Sequence, residues 1–351
     1  MTVKNVRSEL KKHKIEALLI LSNANSSYFT QTTSRDSYVL VTRRKNFFIT
    51  DSRYTEEAKS TLGKDFRVRL LTDSLPKTLL ALCQELKIRT LGFEEQYTTY
   101  ALYAKLRLLL ASRTRLVPLQ GVIEQYRQVK TPGELKKMKI ACAITVEAFK
   151  YAQKIIAPGK KELEVAAELE RFIRLKGARA ASFDIIIASG PNSSFPHHLT
   201  SERKLRANEP VLIDMGVDYL GYKSDLTRVL FLGKITPLVH KIYQIALHAQ
   251  QEAIRQIKPG VSAKAVDSFA REIITGRGYG QCFGHNLGHG VGLEVHEAPR
   301  ISPKEERPIA PGMIFTVEPG IYLPGKFGVR IEDMVLCTKK GVEVLSGSLN
   351  K

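Results

Sequence analysis

Two stretches of this chain each read as a β-hairpin with one acidic residue on each arm, and that pattern constrains the fold more than any other feature. In VLIDMGVDYLGYKSDLTRVLF, the runs VLID and TRVLF are apolar and β-branched, and the polar DYLGYKS between them reads as a turn. A hairpin centred between Tyr219 and Leu220 sets Asp214 opposite Asp225. The second stretch pairs MIFTVE with FGVRIEDMVLC through LPGK, which carries a Pro-Gly turn signal. A turn centred on Gly325 sets Glu318 opposite Glu332. Directly opposed strand residues project from one face with Cβ atoms about 5 Å apart, and like charges placed so are destabilising. Cations between the pairs remove the conflict.

His289, in the Gly-rich segment GHNLGHGVGLEVHE, supplies an imidazole. Any single Asp or Glu at a strand end is ordinarily a solvated surface residue. Two symmetric acidic pairs with a histidine are another matter, because buried carboxylates without partners are costly. Four carboxylates and one imidazole, with no thiolate, describe a site for two divalent cations. Such a site lowers the pKa of water from about 15.7 toward 7 and supports hydrolysis. The ligand type suits Mn²⁺ first, with Co²⁺ or Fe²⁺ as substitutes. His285 and His289 stand four apart, as in a helical zinc pair. Gly284, Gly288 and Gly290 argue against a helix there, and the Glu of a His-Glu-x-x-His motif is absent. None of Cys83, Cys142, Cys282 and Cys337 forms a ligand-spaced pair, and the four read as reduced thiols of a cytoplasmic protein.

The segments SGPNSSFPHH, LIDMGVDYLGYKSDLTR, GHGVGLEVHE, TVEPGIYLPG and VRIED, in that order, resemble the pita-bread metallopeptidases. That family holds aminopeptidase P, the Xaa-Pro dipeptidases (prolidases) and methionine aminopeptidase. Upstream, FITDSRYTEEA, GFEE and YRQVKTPGELKKMKIA are similar to the amino-terminal domain of the aminopeptidase P and prolidase branch, which methionine aminopeptidases generally lack. The resemblance implies an α/β amino-terminal domain, a mixed sheet flanked by helices, over residues 1–124. Over 125–351 it implies an α+β pita-bread catalytic domain with pseudo-twofold symmetry. It further implies that Asp214 binds one metal, that Asp225 and Glu332 bridge two, and that His289 and Glu318 complete the other. His197 and His296 match substrate-binding and catalytic positions. Arg300 and Arg330 stand where the family has active-site arginines, whereas His198 matches no role. The implied activity is that of an Xaa-Pro aminopeptidase acting on proline-containing peptides, as a homodimer; the alternative is an Xaa-Pro dipeptidase. Chemically, Glu318 is suited to ferry a proton to the leaving nitrogen and His296 to donate to an oxyanion. Proline at the leaving position has no amide hydrogen, and a site built around the carbonyl does not need one.

The remaining sequence fits this frame. Up to about residue 120, strand-like runs (ALLILS, SYVLVT, NFFIT, VRLLT, TLGF) alternate with helix-like ones. A polar segment from Gln125 to Pro132 marks a boundary, and a helix is expected from Pro132 to about Ala157. Pro158-Gly159 and Pro259-Gly260 each sit between two helices, so a helix, Pro-Gly, helix, hairpin order occurs twice. No apolar run approaches the ~20 residues of a membrane span. The net charge of +19 raises nucleic-acid binding as a question. The excess is spread along the chain, without a long Lys/Arg block, a Gly-Arg repeat or a stacking pattern of aromatics. A non-catalytic basic binding module on the same fold is the distant alternative, and the intact ligand set weighs against it.

Overall fold

Strand and helix alternate in the first third of the chain as its periodicity requires. The structure, a computed structural model, describes residues 3–33 and 35–351 and divides into two units, Met1–Arg127 and Gln128–Lys351. In the first, strands β1 (Ala17–Ile20), β2 (Ser37–Thr42), β3 (Asn46–Thr50), β4 (Phe66–Leu70), β5 (Thr90–Glu94) and β6 (Arg115–Leu119) form one mixed sheet in the order β4-β3-β2-β1-β5-β6. Central β1 reads ALLI and is buried throughout, as a strand covered on both faces must be. The two edges carry Arg67, Arg69, Arg115 and Pro118, residues that discourage further strand pairing. The short helix Glu124–Arg127 belongs to this unit, beyond the boundary expected at residue 124. Asn25 donates to Glu124 (2.6 Å), Tyr126 donates to Glu9 (2.6 Å) and Arg127 donates to Asn25 (2.8 Å), which ties it back.

The second unit is built twice over. Helices Pro132–Ile155 and Glu162–Leu175 open the first half, and Pro237–Arg255 and Ala263–Gly276 open the second. The first helix starts at a capping box in which Thr131 and Glu134 satisfy each other's backbone N–H groups, with Pro132 in the first turn. It ends at Ile155, slightly short of the expected Ala157. The duplication extends to single hydrogen bonds. Gly159 N–H donates to Leu205 O as Gly260 N–H does to Ile309 O. Glu162 N–H donates to Arg203 O as Ala263 N–H does to Arg307 O. Both Pro-Gly glycines take positive φ, 95° and 89°. Each half then delivers a hairpin: Pro210–Met215 with Leu226–Phe231, and Ile314–Val317 with Asp333–Cys337.

The first hairpin corrects the register read from sequence. Asp214 faces Thr227, not Asp225. The turn is centred between Leu220 and Gly221, one residue later than expected, with Tyr219 opposite Tyr222. Leu220 (φ 50°) and Gly221 (φ 86°) both adopt the left-handed conformation that a tight two-residue hairpin needs. Asp225 lies two residues before Thr227, so it still shares a face with Asp214, now as a diagonal neighbour. Gly216 makes the crossing possible, because a Cβ there would meet the Ser224 carbonyl oxygen at 1.8 Å. The second hairpin keeps its expected centre at Gly325, with Gly320 opposite Arg330 and Val317 opposite Asp333. Its ladder opens at the acidic residues. Glu318 N–H donates to Leu287 O (2.8 Å) and Glu332 N–H to Thr227 O (3.1 Å), which turns both toward neighbouring strands.

Candidate metal centre

Strand pairing brings the acidic positions to one place inside the second unit. Ligand-capable atoms of Asp225, His289 and Glu332 all lie within 4.8 Å of one another. Glu318 joins through His289, whose Nε2 stands 3.2 Å from Glu318 Oε1 and 3.5 Å from Asp225 Oδ2. Asp214 joins through Arg330, which ion-pairs with its Oδ2. His289 is the middle residue of the short strand Gly288–Gly290. Its Nδ1 is hydrogen-bonded to Gly290 O (3.2 Å), which leaves Nε2 facing the carboxylates. Gly288 permits that strand to lie close, since a Cβ would meet Thr316 O at 2.0 Å.

The charges do not balance. Three buried carboxylates and the half-buried Glu318 face the His289 imidazole and the Arg330 guanidinium. Burial first, then the negative charge of Asp214, pushes Asp225 well above its usual range. Burial, Asp225 and Glu318 do the same to Glu332. Burial also raises Asp214, against the pull of Arg330. Burial would raise Glu318 too, but the hydrogen bond and charge of His289 hold it down to about 2. Burial works against a charged His289, yet Glu318 and Asp225 lift it to about 9. Two carboxylate oxygens, Asp214 Oδ1 and Glu332 Oε1, are buried without a hydrogen-bond partner among the described residues. Orphaned acceptors of this kind, in a cluster that resists ionising, fit bound cations. All-oxygen donors with one imidazole nitrogen suit a hard divalent metal.

Several neighbours of the cluster are not evident from sequence motifs. Thr227 Oγ1 donates to Glu332 Oε2 (2.7 Å), and Thr316 Oγ1 donates to Glu318 Oε1 (2.9 Å) while accepting from His289 N–H (3.0 Å). Each threonine stands two residues from an acidic position on its strand, a period-two signal that could have found it. Arg330 is buried, and besides Asp214 it donates to Thr227 Oγ1 (3.1 Å), Tyr322 OH (2.8 Å) and Pro196 O (3.2 Å). Tyr322 stands 3.2 Å from His285 Nε2. His285 Nδ1 is bonded to Asn286 O (2.8 Å), so Nε2 is the acceptor for the phenol, and burial keeps the ring below its usual pKa.

Of the remaining expected residues, His296 packs edge-on against His289 with ring centroids 4.2 Å apart. Burial, then His289 and more weakly His197, hold it below its usual pKa, which favours the neutral imidazole. His197 is exposed on the turn after Ser194. Arg300 lies across the ladder from His289 and is exposed, and among the described residues it makes no hydrogen bond to the cluster. His198 is anchored rather than loose at the rim, 2.9 Å from Glu162. The four cysteines are free, and no described helix is long and apolar enough to cross a membrane.

Known proteins resemble this chain over nearly its whole length. Residues 136–339 match metallopeptidase family M24, and residues 3–129 match the creatinase/prolidase N-terminal domain. An Xaa-Pro dipeptidase of Pyrococcus horikoshii is 38% identical over 346 residues, which cover 98% of this chain and 96% of the relative. The structure of an Xaa-Pro dipeptidase from Bacillus anthracis superposes with a TM-score of 0.95 at 37% identity, covering 99% of this chain and 98% of the other. An X-Pro aminopeptidase from Thermotoga maritima superposes with a TM-score of 0.88 at 39% identity, covering 97% of both chains.

Proposed function

We propose that this chain, which belongs to metallopeptidase family M24, hydrolyses the bond between a leading residue and proline in Xaa-Pro dipeptides. The observation that carries the reading is the clustering of Asp225, His289 and Glu332, with the orphaned carboxylate oxygens of Glu332 and the neighbouring Asp214. The family implies a dinuclear divalent site. We assign Asp214, Asp225, His289, Glu318 and Glu332 as its ligands and Mn²⁺ as its metal. When bound, the cations supply an activated water at neutral pH and a Lewis acid for the scissile carbonyl.

The chain's own residues do the rest. His289 is fixed by Gly290 O with Nε2 toward the ligands, and Thr227 and Thr316 hold Glu332 and Glu318 in place. Glu318 carries the proton from water to the leaving proline nitrogen. His296, neutral beside His289, donates to the developing oxyanion. His197 steadies the substrate near the scissile bond. Arg330 is occupied with Asp214 and the Pro196 carbonyl, so its role here is to set the position of a ligand and of the His197 turn. We place substrate recognition on His197, His296 and Arg300. A homodimer and a reducing cytoplasm belong to the same reading.

The dipeptidase reading is preferred to the aminopeptidase one because both the Pyrococcus horikoshii and the Bacillus anthracis relatives carry that name over nearly the full chain. The Thermotoga maritima neighbour keeps the aminopeptidase as the second reading. Mn²⁺-loaded protein should cleave Ala-Pro and leave Ala-Pro-Ala intact, with chelated protein inactive on both. Removal of the first residue of the tripeptide would decide for the aminopeptidase. No cleavage of either peptide by protein holding two metals would remove the peptidase assignment for proline substrates.

A further inference from the structure

Glu162 is a fully buried carboxylate in the first turn of the helix Glu162–Leu175, and it serves one loop. It accepts from Ser189 N–H (2.8 Å) and Oγ (2.7 Å), from Asn192 Nδ2 (3.0 Å), and from Ser201 N–H (3.1 Å) and Oγ (2.7 Å). These residues flank the segment that carries His197. Inside that segment its contact is His198, whose Nε2 lies 2.9 Å away. On the other side of His197, the Pro196 carbonyl accepts from Arg330 (3.2 Å).

The ends of the loop are tied elsewhere: Gly328 N–H donates to Ser193 Oγ (2.8 Å), and Thr200 Oγ1 accepts from Ile187 N–H (2.9 Å) and donates to Ile185 O (2.8 Å). Between them, Phe195 and Leu199 are 61% and 82% exposed, and the turn's own bonds are Phe195 N–H to Asn192 O and His198 N–H to Phe195 O. Among the described residues, its side-chain ties to the rest of the fold are those to Glu162 and Arg330. The fold itself does not require a carboxylate at the helix start. The duplicated half repeats the backbone bonds of Glu162 at Ala263, which has no carboxylate to offer. At this position the acid is present only in the half that carries His197; the buried acid of the other helix, Asp267, stands further along it and binds Arg271 and Leu287 N–H.

We propose that Glu162 and His198 form a latch that fixes the turn presenting His197, so that both are positioning residues for the reaction; this rests on the Xaa-Pro reading above. Arg330 clamps the turn at Pro196 and the latch clamps it at His198, with His197 held between them. Misplacement of such a group by about 1 Å costs up to about a hundredfold in rate.

A double-mutant cycle with Ala-Pro tests the latch. His198→Ala should lower kcat/KM about tenfold in the parent and less than twofold in the His197→Ala background, with metal content unchanged in both. His198→Gln, which keeps a donor toward Glu162, should recover most of the loss. Equal losses in both backgrounds, or none in the parent, would overturn the latch. The second readout does not use activity. In chelated full-length protein, the His197 ring ¹³Cε1 resonance should be sharp in the parent and broadened in His198→Ala and Glu162→Gln. An unchanged resonance in those variants refutes the latch. Failure of the parent to cleave Ala-Pro would instead refute the Xaa-Pro reading, and the resonance would still decide the latch.

Discussion

Asp225 and Glu332 are carboxylates that the folded chain resists ionising without a counter-charge, and this gives the metal-free protein a definite pH behaviour. Their pKa values stand above the usual 3.8 and 4.5, so the folded state binds more protons than the unfolded one and stability falls as pH rises. His289, raised from 6.5 to about 9, favours folding fully below 6.5 and loses that contribution as pH passes through about 9. Glu318, held at about 2, has the opposite sign, but it acts only below its usual 4.5. Between pH 7 and 9 the directions agree, because the lowered His285 and His296 act in the opposite sense only below about their usual 6.5. Chelated protein should therefore show a falling Tm across that range. Mn²⁺, which binds the deprotonated ligands, should flatten or reverse the slope. A chelated Tm that rises from pH 7 to 9 would contradict this account of the cluster. By the same logic, Asp225→Ala or Glu332→Ala should lose both metal and turnover. His296→Ala should keep its metal and turn over about 10²-fold to 10⁴-fold more slowly. Full activity in Asp225→Ala would remove the two-metal proposal.

At the scale of the element, the first hairpin supplies the sharpest test because its turn contains a residue the geometry does not favour. Leu220 sits at φ 50° with 62% of its surface exposed, so it bears backbone strain and buries little. Leu220→Asn supplies the Asn-Gly pair that such turns prefer and should stabilise the protein by about 1 kcal/mol, read as a rise in Tm of roughly 2–4 °C. Gly216→Ala should cost about 3 kcal/mol or more, since its Cβ would enter the Ser224 carbonyl. A neutral Gly216→Ala would mean that the strands are not so close. The same turn shows where sequence reading runs out. A Leu at positive φ is rare, so Leu220-Gly221 did not announce itself as the turn centre, and the register was read one residue early. The second hairpin was legible because Pro324-Gly325 names its own turn. Which acids share a face was legible in both, since period-two spacing survives that error. The contacts of Arg330, Thr227 and Tyr322 were not, because they join residues about 8 to over 130 positions apart and depend on how the sheets meet. Pro132 at the helix start and both Pro-Gly stops were local signals and stood where local chemistry puts them, whereas the Thr131 and Glu134 capping box was not read from the sequence.

For the whole molecule, the formal charge of +19 coexists with an acidic centre confined to one unit. Asp214, Asp225 and Glu332 are buried, so they do not offset the basic surface, and neutralising them with cations acts on the interior alone. All five assigned ligands lie in Gln128–Lys351, and the first unit has its own sheet and its own apolar core around Leu19, Leu40, Leu79 and Leu91. Metal should therefore stabilise the second unit selectively. At a metal concentration about 100-fold above Kd, linkage supplies about 2.7 kcal/mol, equivalent to roughly hundredfold slower exchange for amides that open only with the site. The amides of Glu318 and Glu332, which donate to Leu287 and Thr227, should show that protection on adding Mn²⁺. Those of Leu18 and Leu19 in β1 should not change. Hydrogen exchange read by mass spectrometry at peptide resolution distinguishes the cases. Equal slowing in both units would mean that metal binding is felt through the whole chain. Slowing in neither, with metal shown to be bound, would mean that the cations are held somewhere other than between these hairpins.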